Sequence, residues 1–88
     1  MTEGDVLKPR SKVSVKDFAA LFVMLGNNVR KQRRARGLSQ AGLAKLADLH
    51  RTYVADVERG ARNISVGSVI RIAKALEISV SELCEGIR

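Results

Sequence analysis

Arg51 and Thr52 stand together in the run His50-Arg51-Thr52-Tyr53, and Ala55 and Arg59 follow at helical intervals. A guanidinium presents a rigid fork of donors, and a hydroxyl both donates and accepts. On a protruding helix this set suits the edges of paired bases. The fork can take guanine O6 and N7 together, and Thr52 can offer a methyl to thymine or a hydroxyl to a base edge. Covalent chemistry has no comparable set. His50 is the sole histidine, no Ser–His–carboxylate group assembles around it, and no glycine-rich loop could cradle a phosphate. The single Cys84 excludes an internal disulfide and a cysteine zinc cage. The residues therefore point to binding, with no catalysis, metal, cofactor or small-molecule substrate expected.

The stretch Gln40 to Glu58, QAGLAKLADLHRTYVADVE, must position these side chains. It reads as two short helices joined by a tight turn. Ala44 is small enough for two helices to cross closely. Leu43, Ala47 and Leu49 give the first helix and the turn an apolar side. Val54 and Val57 give the second helix its inner face, which leaves His50, Arg51, Thr52, Ala55 and Arg59 outside. This is a helix-turn-helix pattern with the second helix as reader.

Residues 1–13 are polar and basic, with no helical or strand period, and read as a flexible arm. Residues 14–88 read as one all-helical domain. Ser14 and Asp17 form a capping box for helix one, with Val13 and Phe18 as its hydrophobic staple. Phe18, Phe22, Leu25 and Val29 then define one face, so helix one runs on to about Arg36 and stops at Gly37. Gly26 lies within it and could mark a break, at about 1 kcal/mol relative to Ala. Most of the charge at Arg30, Lys31, Arg33, Arg34 and Arg36 reads as a solvated face. Arg33 is different, because it follows Val29 by four on the core side and needs a partner.

Ser39 caps helix two, Asp48 takes the turn position that tolerates positive φ, and His50 opens helix three as a weak cap. Ser65 caps helix four, whose buried stripe is read as Val66, Val69, Ile70, Ala73 and Leu76. Ser79 and Glu82 box the start of helix five, expected from Val80 to Glu85. Ile78, Val80, Leu83, Cys84 and Ile87 exceed what so short a helix can bury alone, which predicts a homodimer interface there.

At 88 residues the chain is one domain with a small core. Aromatics make up 3% of it, so Leu, Val, Ile and Ala must fill the interior. The net charge of +7 and pI near 10.3 call for a polyanionic partner. No apolar run approaches the roughly 18 residues of a spanning helix, and no signal-peptide block is present, so a cytoplasmic location is expected and no membrane partner.

Taken together, Arg33, RGLSQ at Arg36–Gln40, Leu43-Ala44, VERG at Val57–Gly60 and IAKAL at Ile72–Leu76 resemble the lambda-repressor-like (Cro/C1, Xre-type) helix-turn-helix family. The resemblance covers roughly Leu25 to Ile87. Within it, LHRTYVADVERGARNIS at Leu49–Ser65 is similar to the controller proteins of restriction–modification systems. It implies a five-helix domain with an extended first helix here. It also implies a homodimer on a palindromic operator in double-stranded DNA, with a tetramer on DNA as the larger form. Controllers regulate their own gene and the nuclease gene. By position, Arg51, Thr52 and Tyr53 would face the bases, Tyr53 at a groove edge. Ser39, Gln40, His50, Arg62, Asn63 and Ser65 would meet the DNA backbone, and Arg33 and Glu58 would form a structural ion pair. Asp48 replaces the usual turn glycine and His50 the usual cap. Gln32 sits at a usually apolar position, and Gly42 where a capping acid is common.

Two other classes are weighed against a regulator. An antitoxin-type protein-interaction module that represses its own operon needs a partner-binding segment, for which the arm with Phe18 and Phe22 is the sole candidate. RNA binding needs aromatic stacking platforms, and one Tyr with two core-facing Phe do not supply them.

Overall fold

The computed structural model describes residues 14–88, and the expected arm at 1–13, with Val13, lies outside them. The described residues form five helices: α1 Val15–Ala35, α2 Gln40–Ala47, α3 Arg51–Glu58, α4 Val66–Ala75 and α5 Val80–Leu83. None is long and apolar enough to cross a membrane. Every helix is announced by the side chain before it. Ser14 and Asp17 complete their capping box at 3.3 and 3.1 Å. Ser39 Oγ accepts from Gly42 N at 2.9 Å, with no acid to return the bond. His50 Nδ1 accepts from Thr52 N at 3.3 Å, Ser65 Oγ from Ser68 N at 3.1 Å, and Ser79 Oγ from Glu82 N at 3.0 Å.

The first four helices also end alike. One residue with positive φ turns the chain, and the following amide returns to a carbonyl five residues back, the Schellman arrangement. Leu38 N thus bonds Arg33 O, Leu49 N bonds Ala44 O, Ala61 N bonds Asp56 O and Ile78 N bonds Ala73 O. Two of the turning residues are Gly37 and Gly60, and the others are Asp48 (φ 55°) and Glu77 (φ 58°). Asp48 behaves as its sequence position predicts, whereas the left-handed Glu77 is not anticipated.

The core is aliphatic, centred on the fully buried Val29, Leu43, Val54, Ile72, Leu76 and Leu83. Three expectations change here. The stripe of α4 is Val69, Ile72, Ala73 and Leu76, while Val66 and Ile70 face outward. α5 is a single turn ending at Leu83 rather than Glu85, and Leu83 closes the core and is unavailable to a dimer partner. Phe18 is about half exposed and stacks on the half-buried Phe22, with ring centroids 6.4 Å apart, because the first turns of α1 project past the bundle.

Gly26 does not break α1. It marks the point where α1 crosses α3, for a Cβ built there would sit 2.4 Å from Val57 O and 2.7 Å from Glu58 O. Asn28, two residues on, donates to Leu83 O at 2.9 Å and Glu85 O at 3.0 Å. It ties the C-terminal turn to α1 by satisfying the last carbonyl of that short helix and one in the turn beyond it. Gln32 is half exposed and accepts from Arg36 at 3.3 Å, so its polar end needs no burial.

Candidate nucleic-acid interface

Helical geometry divides α3 cleanly. Val54, Val57 and Glu58 are buried, Arg51, Thr52 and Arg59 are exposed, and Tyr53, Ala55 and Asp56 lie between. Arg51 and Thr52 occupy the first turn of the helix, on its solvent side. His50 caps that turn through an accepting ring nitrogen and is itself exposed.

Glu58 fixes α3 to the rest of the domain. Its carboxylate accepts from Arg33 Nε at 2.6 Å and Arg33 Nη2 at 2.9 Å, from Gln40 Nε2 at 3.1 Å and from Arg30 Nε at 3.4 Å. Arg33 Nη1 also donates to Leu38 O at 2.8 Å. One buried carboxylate thereby joins α1, α2 and α3, and among the described residues no buried side-chain polar atom lacks a partner. Burial pushes the Glu58 carboxyl up. The Arg33 hydrogen bonds, then Gln40 and the nearby charges, outweigh this and leave it below the usual carboxylate range. The same bond to Glu58 holds Arg33 firmly protonated against its own desolvation. Gln40, expected at phosphate, is half-buried and spends one amide hydrogen on Glu58.

A second cluster lies on the outer side of α3. Asp56 accepts from Arg59, and from Arg62 Nη2 at 3.1 Å. The Arg62 guanidinium also lies 4.6 Å over the Tyr53 ring, a cation–π contact. Hydrogen bonds from Arg62 and then Arg59 pull the Asp56 carboxyl below its usual range. Tyr53 and Arg62, separately expected at bases and phosphate, are therefore one unit with Asp56. The sequence reading passes over Asp56, although its spacing of three from both Tyr53 and Arg59 is a helical-face signal. Arg30 and Asn28 are missed because nothing local marks their partners. Among the other expected backbone contacts, Ser39 and Asn63 are exposed, and Ser65 directs its hydroxyl to Ser68 Oγ at 3.0 Å. Asn63 borders a groove shared with Phe18, Phe22, Gly60 and Arg62, which sets the exposed end of α1 beside the loop after α3.

A helix-turn-helix family model matches residues 29–83, from the middle of α1 to the end of α5. The chain belongs to that family. Its relatives place it further. The control protein C.SmaI of Serratia marcescens is 47% identical over 66 residues, covering 75% of this chain and 79% of that protein. The crystal structure of the restriction–modification controller C.AhdI from Aeromonas hydrophila superposes with a TM-score of 0.72. It shares 47% identity over 73% of this chain and 97% of the other. The controller C.Esp1396I, solved as a tetramer in complex with its natural 35-base-pair operator, superposes at 0.64. Its identity is 36%, over 67% of this chain and 78% of the other. This helix-turn-helix protein has the lambda-repressor-like fold and is a DNA-binding transcriptional regulator of the restriction–modification controller type. It acts by binding and not as an enzyme. The match to C.AhdI covers nearly all of that chain and leaves about a quarter of this one outside it.

Proposed function

We propose that the protein binds a palindromic operator as a cytoplasmic homodimer, setting one α3 into the major groove of each half-site. In this reading it controls its own gene and an associated nuclease gene. The observation that carries the reading is α3 itself, clamped on its inner side by Glu58 while Arg51 and Thr52 stand free on its leading turn. Arg51 and Thr52 read bases, and Tyr53 lies at the groove edge. Ser39, His50, Asn63 and the free nitrogens of Arg62 meet the backbone, which sets register without reading sequence. The net charge of +7 supplies attraction to any duplex, so selectivity must come from α3. The operator-bound tetramer of C.Esp1396I supports paired dimers on DNA as the larger assembly.

Reading and holding separate experimentally. Arg51→Ala is expected to weaken operator binding by about 1–3 kcal/mol and to relax preference at one base position. Arg62→Ala is expected to reduce the salt dependence of operator binding by about one unit. Competition between operator and random duplex at several salt concentrations measures both. An equal loss of affinity for the two duplexes in Arg51→Ala would remove Arg51 from the base-reading role.

The dimer face proposed here is revised from the sequence reading. Leu83 leaves it, Val80 stays as its exposed member, and Ile78, Cys84 and Ile87 flank it half-buried. Val66 and Ile70, one turn apart on α4, supply additional open apolar surface. Ile70→Asp together with Val80→Asp is expected to give a monomer in sedimentation velocity at micromolar concentrations where the parent is dimeric. A parent that is monomeric throughout that range contradicts the dimer.

A further inference from the structure

Asp56 poses a physical problem. It is an acid on the DNA-facing helix, where it should repel phosphate, and its side chain is only 19% exposed. It is also the shared anchor of two arginines. Arg59 pairs with it from the next turn of the chain and Arg62 from the loop beyond Gly60. Arg62 is held from two directions, by the Asp56 carboxylate at its edge and the Tyr53 ring at its face, yet 44% of its side chain stays open. A free arginine is a mobile cation that meets phosphate on any duplex. A guanidinium locked between a carboxylate and a ring has one position, and meets phosphate only where the backbone comes to it.

We propose that Asp56 is a specificity-determining positioning residue. It neutralises Arg59 and fixes the Arg62 guanidinium against Tyr53, so that Arg62 contributes on a correctly docked site and little on random DNA. Specificity is a difference of affinities, and weakening the wrong complex raises it as effectively as strengthening the right one. The inference rests on the operator-binding reading above. It adds that an acid, touching no base, sets part of the preference. Both arginine ends of these pairs are open to solvent, and ion pairs so screened contribute little to folding, so removing Asp56 should change discrimination far more than stability.

The test is Asp56→Ala in the full chain, on a duplex that the parent protein selects from a randomised library, against a random duplex of the same length. Affinity for random duplex is expected to rise several-fold, with its salt dependence steepened by up to about one unit per freed arginine. The selected-to-random ratio is expected to fall about ten-fold, with the melting temperature nearly unchanged. In an Arg62→Ala background the same substitution should change the ratio by less than about two-fold, as a double-mutant cycle requires of coupled residues. If Asp56→Ala strengthens both duplexes by one factor, it has only removed a negative charge and the inference is overturned. A ten-fold fall that persists in the Arg62→Ala background overturns the assignment to Arg62. A parent that selects no sequence at all overturns the operator-binding reading, and this inference with it.

Discussion

Glu58→Gln is expected to destabilise the domain by on the order of 3–5 kcal/mol, the loss seen when one member of a buried ion pair is removed. Glutamine keeps the shape but leaves the Arg33 guanidinium buried beside a neutral amide whose own NH2 faces other donors. Four of the donors now satisfied, from Arg30, Arg33 and Gln40, lose their shared anion. For a domain of this size each kcal/mol moves the melting temperature by about 4–8 °C, so a thermal melt followed by circular dichroism should fall by well over 10 °C. A melt that barely moves would mean the pair is not buried as described. The pH dependence follows in sign. A carboxyl held below its ordinary range stabilises the fold above the unfolded value and loses that contribution as pH falls through the folded one. The parent should therefore keep its stability down to the ordinary carboxylate range, about pH 4, and lose it steeply below. Glu58→Gln should be less stable at neutral pH and show a shallower acid limb.

Gly26→Ala is expected to destabilise as well, by about 1–3 kcal/mol, although alanine is the better helix former. The new methyl would meet the backbone oxygens of Val57 and Glu58, and backbone has no alternative rotamer to adopt. α1 and α3 must separate instead, which lengthens the Arg33–Glu58 bonds. The denaturant midpoint measures this, and a midpoint that rises would contradict a crossing at Gly26. The two substitutions act on one network, so their combined effect should fall short of the sum.

Local signals in the chain account for most of what could be read without the structure. Ser14, Ser39, Ser65 and Ser79 announce four helices because a capping hydroxyl acts on amides two or three residues away. Asp48 is legible at the turn for a similar reason. Arg33 is legible as a charge in core phase that needs a partner, and the family resemblance supplies Glu58 as that partner, though only packing shows Gln40 and Arg30 joining them. What fails is long-range or ambiguous in period. α4 carries Val66, Val69, Ile70, Ile72, Ala73 and Leu76, apolar around most of its circumference, so two stripes fit equally and α2 decides between them. Phe18 is in phase with the core but lies beyond the end of the bundle, which periodicity does not reveal. Gly26 reads as a weakness in a helix until the partner helix is in place, and Leu83 reads as a dimer contact until the core is counted. Asp56 is overlooked because an acid on a reading face looks like a solvated charge, and its two arginines come from a later turn and loop.

The most direct measurement is equilibrium binding to the DNA immediately upstream of the protein's own gene, in competition with a scrambled duplex of equal length and composition near physiological salt. A regulator that reads sequence through α3 is predicted to prefer the native duplex by about 10³-fold or more, with a two-fold symmetric footprint. Equal affinity for the two duplexes would reduce the protein to a non-specific basic binder and contradict the account.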